Sequence, residues 1–217
     1  RTAPLGSLVV PGCPYTVRVL RVGHSTARGA DGTLEADGTV TLISGGPVTA
    51  LVDTGGPWDR PLLPRLLAEH GVTPDDVTHV IVTHGHSDHV GNVNLFPAAT
   101  LLVGFDLSRG PGLFLPHGLA RGVPLALDPP ALEVVATPGH TRAHVSLVVR
   151  GTALGTVAVA GDTFERQDDE DEWGALSEDP PEQLRSRQRL LAMADVIVPG
   201  HGPPFRVIKG DEPPREG

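Results

Sequence analysis

The heptapeptide Thr83-His84-Gly85-His86-Ser87-Asp88-His89 decides how this chain is read. It ends an apolar run over residues 77–83 that reads as a strand, and a short helix is expected directly after it. Three imidazoles and a carboxylate within six residues are metal-ligand types in chelating proximity. At the chain's own residue frequencies, chance would place those four groups at that spacing roughly once in 600 such chains. Chance does not extend to three further positions downstream. His140 ends TPGH, Asp162 ends VAGD and His201 lies in PGHG, each after an apolar run and a glycine. Four strand ends that deliver ligands to one sheet edge would make a rigid site, because strands hold the loops that carry them.

The surrounding segments supply the strands. Residues 15–23 alternate, and 39–44 and 48–53 flank Gly45-Gly46-Pro47 as a hairpin. Residues 101–105, 132–140, 144–151, 154–162 and 194–202 are also strand-like, whereas 24–38 read as a polar turn region. A helix is expected over residues 60–70, closed by Gly71, with Pro64 weakening its first turn. Asp179-Pro180-Pro181-Glu182 has the form of an N-cap followed by a first turn, which predicts a helix through 184–194. No repeat or linker divides the chain, and 217 residues suit one domain over 1–217.

The pattern resembles the metallo-β-lactamase superfamily, over nearly the whole chain. The resemblance implies the α/β fold of that family, an αββα sandwich of two mixed β-sheets flanked by helices. It implies that His84, His86 and His140 bind one metal, that Asp88, His89 and His201 bind a second, and that Asp162 bridges them. Five imidazoles and two carboxylates suit Zn²⁺, two per chain, and the same ligand types also suit iron. A metal-bridging hydroxide, held by Asp88, would be the nucleophile. Asp53, in LVDTG, matches an aspartate beneath the metal loop and would orient ligands by hydrogen bonds. His144 starts a strand four residues after His140; it reads as a structural histidine or as a proton donor to the leaving group. Arg142 reads as a solvated loop arginine or as a contact for a substrate phosphate. His24, His70, His79 and His117 stand alone and read as structural.

Some relatives of that family do not fit. One lactamase subclass uses a cysteine ligand, but Cys13 is far upstream and the matching slot holds Asp162. Flavodiiron proteins carry glutamate where this chain has His86. The glyoxalase II type adds a C-terminal helical domain, which is not expected within the 16 residues after His201. The segments LVDTGGPW (51–58), ALSEDP (175–180) and VPGHGPPFRV (198–207) resemble a branch that cleaves RNA at the 3′ end of histone pre-mRNA. That resemblance implies an RNA-cleaving endonuclease. A glyoxalase II-like thioesterase or another small-molecule ester hydrolase is the alternative, and a mononuclear iron oxidase or dioxygenase is a further one.

Composition bears on partners. The net charge is −9, and −8 of it lies between Glu165 and Glu182; the remainder of the chain is near neutral. That run reads as a solvated acidic loop. Lys209 is the only lysine, and aromatics are 4% of residues, so no basic stripe or stacking platform for RNA is evident. The single cysteine, Cys13, cannot close an internal disulfide, so a reducing compartment is expected, cytosolic, nuclear or both. No apolar run is long enough for a membrane span, and the proline- and glycine-broken opening does not read as a secretory leader. A homodimer is compatible with these features.

Overall fold

The computed structural model describes residues 1–210; residues 211–217, the end of the expected domain, lie outside the described residues. Two large mixed sheets face each other. One has the spatial order Leu113–Phe114, Asp106–Arg109, Thr100–Val103, His79–Val82, Ala50–Val52, Val40–Ser44, Thr16–Arg21 and Val9–Val10. The other runs Thr2–Pro4, Phe205–Val207, Val196–Pro199, Gly155–Gly161, Val145–Thr152, Leu132–Ala136 and Leu125–Asp128. Helix α1 (Leu63–Ala68) covers the outer face of the first sheet, and the short α2 (Ser87–Val90) follows the histidine loop. Helix α3 (Pro180–Met193) covers the outer face of the second.

Strand periodicity builds these layers. Side chains alternate between the faces of a strand, so an apolar strand can feed two cores at once. Within Val40–Ser44, Ile43 joins the core between the sheets, whereas Val40 and Leu42 pack with Leu63 and Leu67 of α1. Within Val145–Thr152, Val145, Leu147 and Val149 point to the inter-sheet core, and Val148 packs with Leu190 of α3. The result is the αββα order expected from the sequence.

Strand direction positions the site. Ala50–Val52, His79–Val82 and Thr100–Val103 are parallel, as are Gly155–Gly161 and Val196–Pro199. Leu132–Ala136 lies two antiparallel steps from Gly155–Gly161 and therefore shares its direction. The C-terminal ends of these strands lead into Asp53, His84, His140, Asp162 and His201. Crevices at the carboxyl ends of strands are the usual ligand sites of α/β sheets.

Several sequence expectations need correction. Residues 24–38 are not a plain turn region: His24–Ala27 and Leu34–Asp37 pair as a separate two-stranded hairpin. It is mostly exposed, so it lacks the one-sided apolar alternation that marks a strand. The strands Thr2–Pro4, Asp106–Arg109, Leu113–Phe114, Leu125–Asp128 and Phe205–Val207 are not legible in the sequence because each is short and largely exposed or half-buried, so none carries a sustained apolar run. Pro64 sits in the first turn of α1, where no intrahelical N–H bond is required. Asp179 does cap α3, its Oδ1 accepting from the Glu182 N–H at 3.1 Å. Among the described residues no helix is long and apolar enough to cross a membrane.

Candidate metal centre

Seven side chains expected to act together do meet. His84 Nε2, His86 Nδ1 and His140 Nε2 converge: the first two are 2.8 Å apart and the last two 3.2 Å. Asp162 lies between them and the second group. Its Oδ2 is 3.5 Å from His84 Nε2, 3.3 Å from His140 Nε2 and 3.2 Å from His201 Nε2. Its Oδ1 is 3.3 Å from His89 Nε2. Asp88 Oδ2 completes the second group, 3.6 Å from His89 Nε2 and 3.8 Å from His201 Nε2.

The glycine before each downstream ligand has a physical cause. Gly161 adopts φ +51°, which lets the chain turn sharply at the strand end and aim Asp162 inward. At Gly200 a Cβ would stand 1.8 Å from Asp162 Oδ1, so only glycine lets the His201 loop approach that carboxylate. The turn before His84 is held by Asp53, itself at φ +59°, a conformation that aspartate tolerates better than most residues. Asp53 Oδ1 accepts from the Thr83 N–H at 2.7 Å, and Oδ2 accepts from Thr83 Oγ1 at 3.0 Å and pairs with His89 Nδ1 at 2.8 Å.

These contacts select which nitrogen faces inward. His89 Nδ1 is turned to Asp53, and His201 Nδ1 donates to the Asp37 carbonyl at 3.0 Å, leaving both Nε2 atoms toward the cluster. His84 Nδ1 meets Thr83 Oγ1 at 3.0 Å with the same effect. Partners on the far nitrogen are how proteins fix the tautomer and aim of metal-binding histidines.

The electrostatics fit a cation. Burial alone would keep His89 neutral, but the carboxylates of Asp162 and Asp53 outweigh it and hold the imidazole well above its ordinary value. His201 behaves alike: burial lowers it, yet Asp162 carries it up to about 9. Burial disfavours the Asp162 carboxylate, and His89, His201 and His84 more than offset this, holding its pKa well down. The cluster therefore demands positive charge. His89 Nε2 and Asp162 Oδ1 are buried without a hydrogen-bond partner, although they face each other. Imidazole nitrogens and carboxylate oxygens within 4.8 Å of one another, with protons to displace, suit divalent ions.

Two residues left with two readings each by the sequence lie away from the cavities. His144 is fully buried and lines neither cavity at the site. Its ring stacks on His84 at 5.1 Å between centroids, and its Nδ1 lies 3.0 Å from Thr137 Oγ1. Burial, then the neighbouring His140, push it down to about 3. Stacked on His84 and off both cavities, the imidazole of His144 is placed as the structural one of its two readings has it. Arg142 is exposed and also lines neither cavity.

The acidic segment 165–182 is also not uniformly solvated. Glu165 and Asp169 are 2% and 0% exposed. Arg187 of α3 binds Asp169 through two bonds, at 2.9 and 2.5 Å, and donates to the Thr163 carbonyl at 3.0 Å. Its guanidinium lies over the rings of Phe164 and Trp173. Asp169 Oδ2 also accepts the Glu165 N–H at 2.8 Å. This buried network ties α3 to the turn that carries Asp162. Burial, then the Asp162 charge, raise Glu165 to about 8.

Two connected cavities open at the cluster. The smaller, about 160 Å³, is lined by His86, Asp88, His140, Asp162, Glu165 and His201 together with hairpin residues. The larger, about 610 Å³, shares Leu34, Ala36 and Asp88 with it and extends to Arg28 and Trp58. Trp58 is 57% exposed, and its Nε1–H donates to Asp37, which Arg21 also binds. Sequence reasoning does not single out Glu165, Asp169, Trp58 or Asp37 as site residues. The one signal it holds is the position of Glu165 three residues after Asp162, outside the contiguous run that starts at Asp168.

Known proteins resemble this chain in sequence and in fold. Over 210 residues the chain is 58% identical to metallo-beta-lactamase domain-containing protein 1 of Xenopus laevis, covering 96% of this chain and 89% of that one. The chain belongs to the metallo-beta-lactamase superfamily. Residues 35–105 match that superfamily's sequence profile, Lactamase_B, a span that holds the whole histidine motif. The chain is also similar to a hydroxyacylglutathione hydrolase of Fuscovulum blasticum, 34% identical over 120 residues, 54% of this chain and 43% of that one. The superfamily fold is shared with a Pseudomonas aeruginosa metallo-beta-lactamase solved in a mono-zinc form. That structure has a TM-score of 0.60 at 15% identity, over 94% of this chain and 92% of that one. As a superfamily member the chain is a hydrolase whose His/Asp cluster has the geometry of a metal site.

Asp53 gives a first test of that cluster. Asp53→Ala is expected to weaken metal affinity about 10–100-fold, the usual effect of removing the partner that orients a ligand. Competition against a chromophoric chelator measures it. Unchanged affinity would mean that His89 keeps its aim without the carboxylate.

Proposed function

We propose that the cluster holds two divalent ions, zinc by ligand type, and that the chain uses them to hydrolyse RNA phosphodiester bonds. One observation carries the dinuclear reading: Asp162 presents Oδ2 to His84 and His140 and Oδ1 to His89, within 3.5 Å in each case. Two ions held there would supply a Lewis acid and a water acidic enough to attack at neutral pH.

The chain's own groups account for the rest. Asp88 is partly exposed and lines both cavities, so its carboxylate is placed to accept a hydrogen bond from an attacking water and orient it. His86 lies at the cavity wall and is exposed to incoming substrate. The larger cavity adds what composition did not suggest, an exposed indole beside the cluster. Base–aromatic stacking is worth about 1–3 kcal/mol per base and tolerates any sequence. Arg28 lines the same cavity but pairs with Glu35 across the hairpin, so phosphate contacts are few. The RNA reading thus rests on Trp58 and on resemblance. A reducing compartment, cytosol or nucleus, is the setting we assign, supported by the lone Cys13.

A thioester substrate is the second reading. Similarity to the Fuscovulum blasticum hydroxyacylglutathione hydrolase favours it. Purified protein offered single-stranded RNA and an acyl-glutathione thioester separates the two. RNA cleavage is expected, lost with a chelator and restored by Zn²⁺. Three to five arginine–phosphate contacts would give RNA binding a shallow salt slope, about −2 to −3.5 in log–log terms. Brisk thioester turnover with intact RNA would replace the substrate class and keep the hydrolase. Elemental analysis showing a single iron and no zinc would overturn the dinuclear zinc assignment.

A further inference from the structure

Glu165 is the buried acid at the cluster that neither the ligand pattern nor the proposed mechanism uses. It is 2% exposed and aims into the smaller cavity. Its Oε1 lies 3.7 Å from His140 Nδ1, the nitrogen opposite the one that faces Asp162. Both atoms are buried, and neither has a hydrogen-bond partner. The contrast with the other buried ligand histidines, which face the cluster through Nε2, is specific. His84 Nδ1 has Thr83 Oγ1, His89 Nδ1 has Asp53, and His201 Nδ1 has the Asp37 carbonyl. Among the described residues, the polar group facing Nδ1 of His140 is the Glu165 carboxyl.

We propose that Glu165 is the positioning residue for His140, accepting a hydrogen bond from its Nδ1–H and so holding Nε2 toward the metal shared with His84, His86 and Asp162. The proposal rests on the reading that the cluster binds metal. The present gap exceeds a hydrogen bond by about half an ångström. Such contacts are commonly long until the site is filled. The backbone on either side is already fixed. The Glu165 N–H donates to Asp169, which Arg187 binds, and the Glu165 carbonyl accepts from the His201 N–H at 2.7 Å. The carboxylate is therefore delivered to His140 by the same turn that carries Asp162, and its only adjustment is side-chain rotation.

A rival role is direct ligation, because Oε2 also lies 3.9 Å from His201 Nε2. Glutamine separates the two. Its amide oxygen still accepts from an imidazole N–H, but it is a poor zinc ligand. Zn²⁺ is titrated into wild type, Glu165→Ala and Glu165→Gln against a chromophoric chelator, and the ¹⁵N spectra of the histidines are recorded. Glu165→Ala is expected to weaken Zn²⁺ binding about 10–100-fold, and Glu165→Gln to stay within about threefold of wild type. The His140 Nδ1–H resonance should persist in Glu165→Gln, whose amide oxygen also accepts, and vanish by solvent exchange in Glu165→Ala. Wild-type affinity in Glu165→Ala overturns the proposal. So does a loss in Glu165→Gln as deep as in Glu165→Ala, which would make Glu165 a ligand. If the alanine variant does not fold, loss of the His140 Nδ1–H resonance in a folded Glu165→Gln overturns it alone. Wild type that binds no Zn²⁺ would instead remove the metal reading on which this inference stands.

Discussion

Asp162→Ala is expected to lower hydrolysis by at least about a thousandfold, the upper range for losing one preorganised electrostatic group at a reacting centre. The size comes from position. Asp162 places its two oxygens within 3.5 Å of four imidazoles drawn from both halves of the cluster. Its removal leaves those imidazoles to repel one another and takes a ligand from each metal position at once. Metal content should fall from about two ions per chain to one or fewer by elemental analysis. Asp162→Asn keeps the shape and removes the charge, and it should lose nearly as much activity with little change in thermal stability. Retention of both metals and wild-type rate in Asp162→Ala would falsify the bridging role.

The second large effect concerns stability. Arg187→Leu is expected to cost about 3–5 kcal/mol, the usual penalty for leaving one member of a buried ion pair without its partner. Asp169 is fully buried, and Arg187 is its bidentate partner as well as a donor to the Thr163 carbonyl. The guanidinium also packs on Phe164 and Trp173, so leucine loses cation–π contact as well as charge. Urea unfolding at neutral pH checks the value. The same variant should loosen the turn from Asp162 to Asp169, since Asp169 holds the Glu165 N–H. Weaker metal retention should therefore accompany the lost stability. A change below about 1 kcal/mol would place the pair among those whose desolvation cancels its attraction.

The pairing of Asp169 with Arg187 also explains why the acidic segment is hard to read. From sequence, nine acids between Glu165 and Glu182 look like one solvated loop. Burial sorts them: Asp168, Glu170, Asp171 and Glu172 are exposed, whereas Glu165 and Asp169 point inward. Local sequence does not carry that division. Arg187 lies 18 residues away on another element, and an acid becomes tolerable inside only where such a partner arrives. His144 is undecided in the sequence for a related reason: its spacing from His140 places it near the cluster, and only the fold shows it stacked on His84 and off both cavities.

What the sequence determined by itself was the chemistry and the layer order. Ligand types are chemical, and their spacing survives in the linear text: His84, His86, Asp88 and His89 in one loop, then a glycine and a ligand at the end of three later strands. Apolar runs such as Val40–Ser44 and Val145–Thr152 were enough to mark strands, and their arrangement in two sheets followed from the family resemblance. Tertiary structure decided everything that depends on direction and on long-range pairing. Parallel registers bring Asp53 beside His84 and Asp162 beside His201. The exposed hairpin at His24–Asp37 brings Leu34 and Ala36 over the cluster, and the Asp37 carbonyl sets the aim of His201 from 164 residues away. Hydrogen bonds and buried charges act over a few ångströms, and only folding brings residues so distant in the chain within that range.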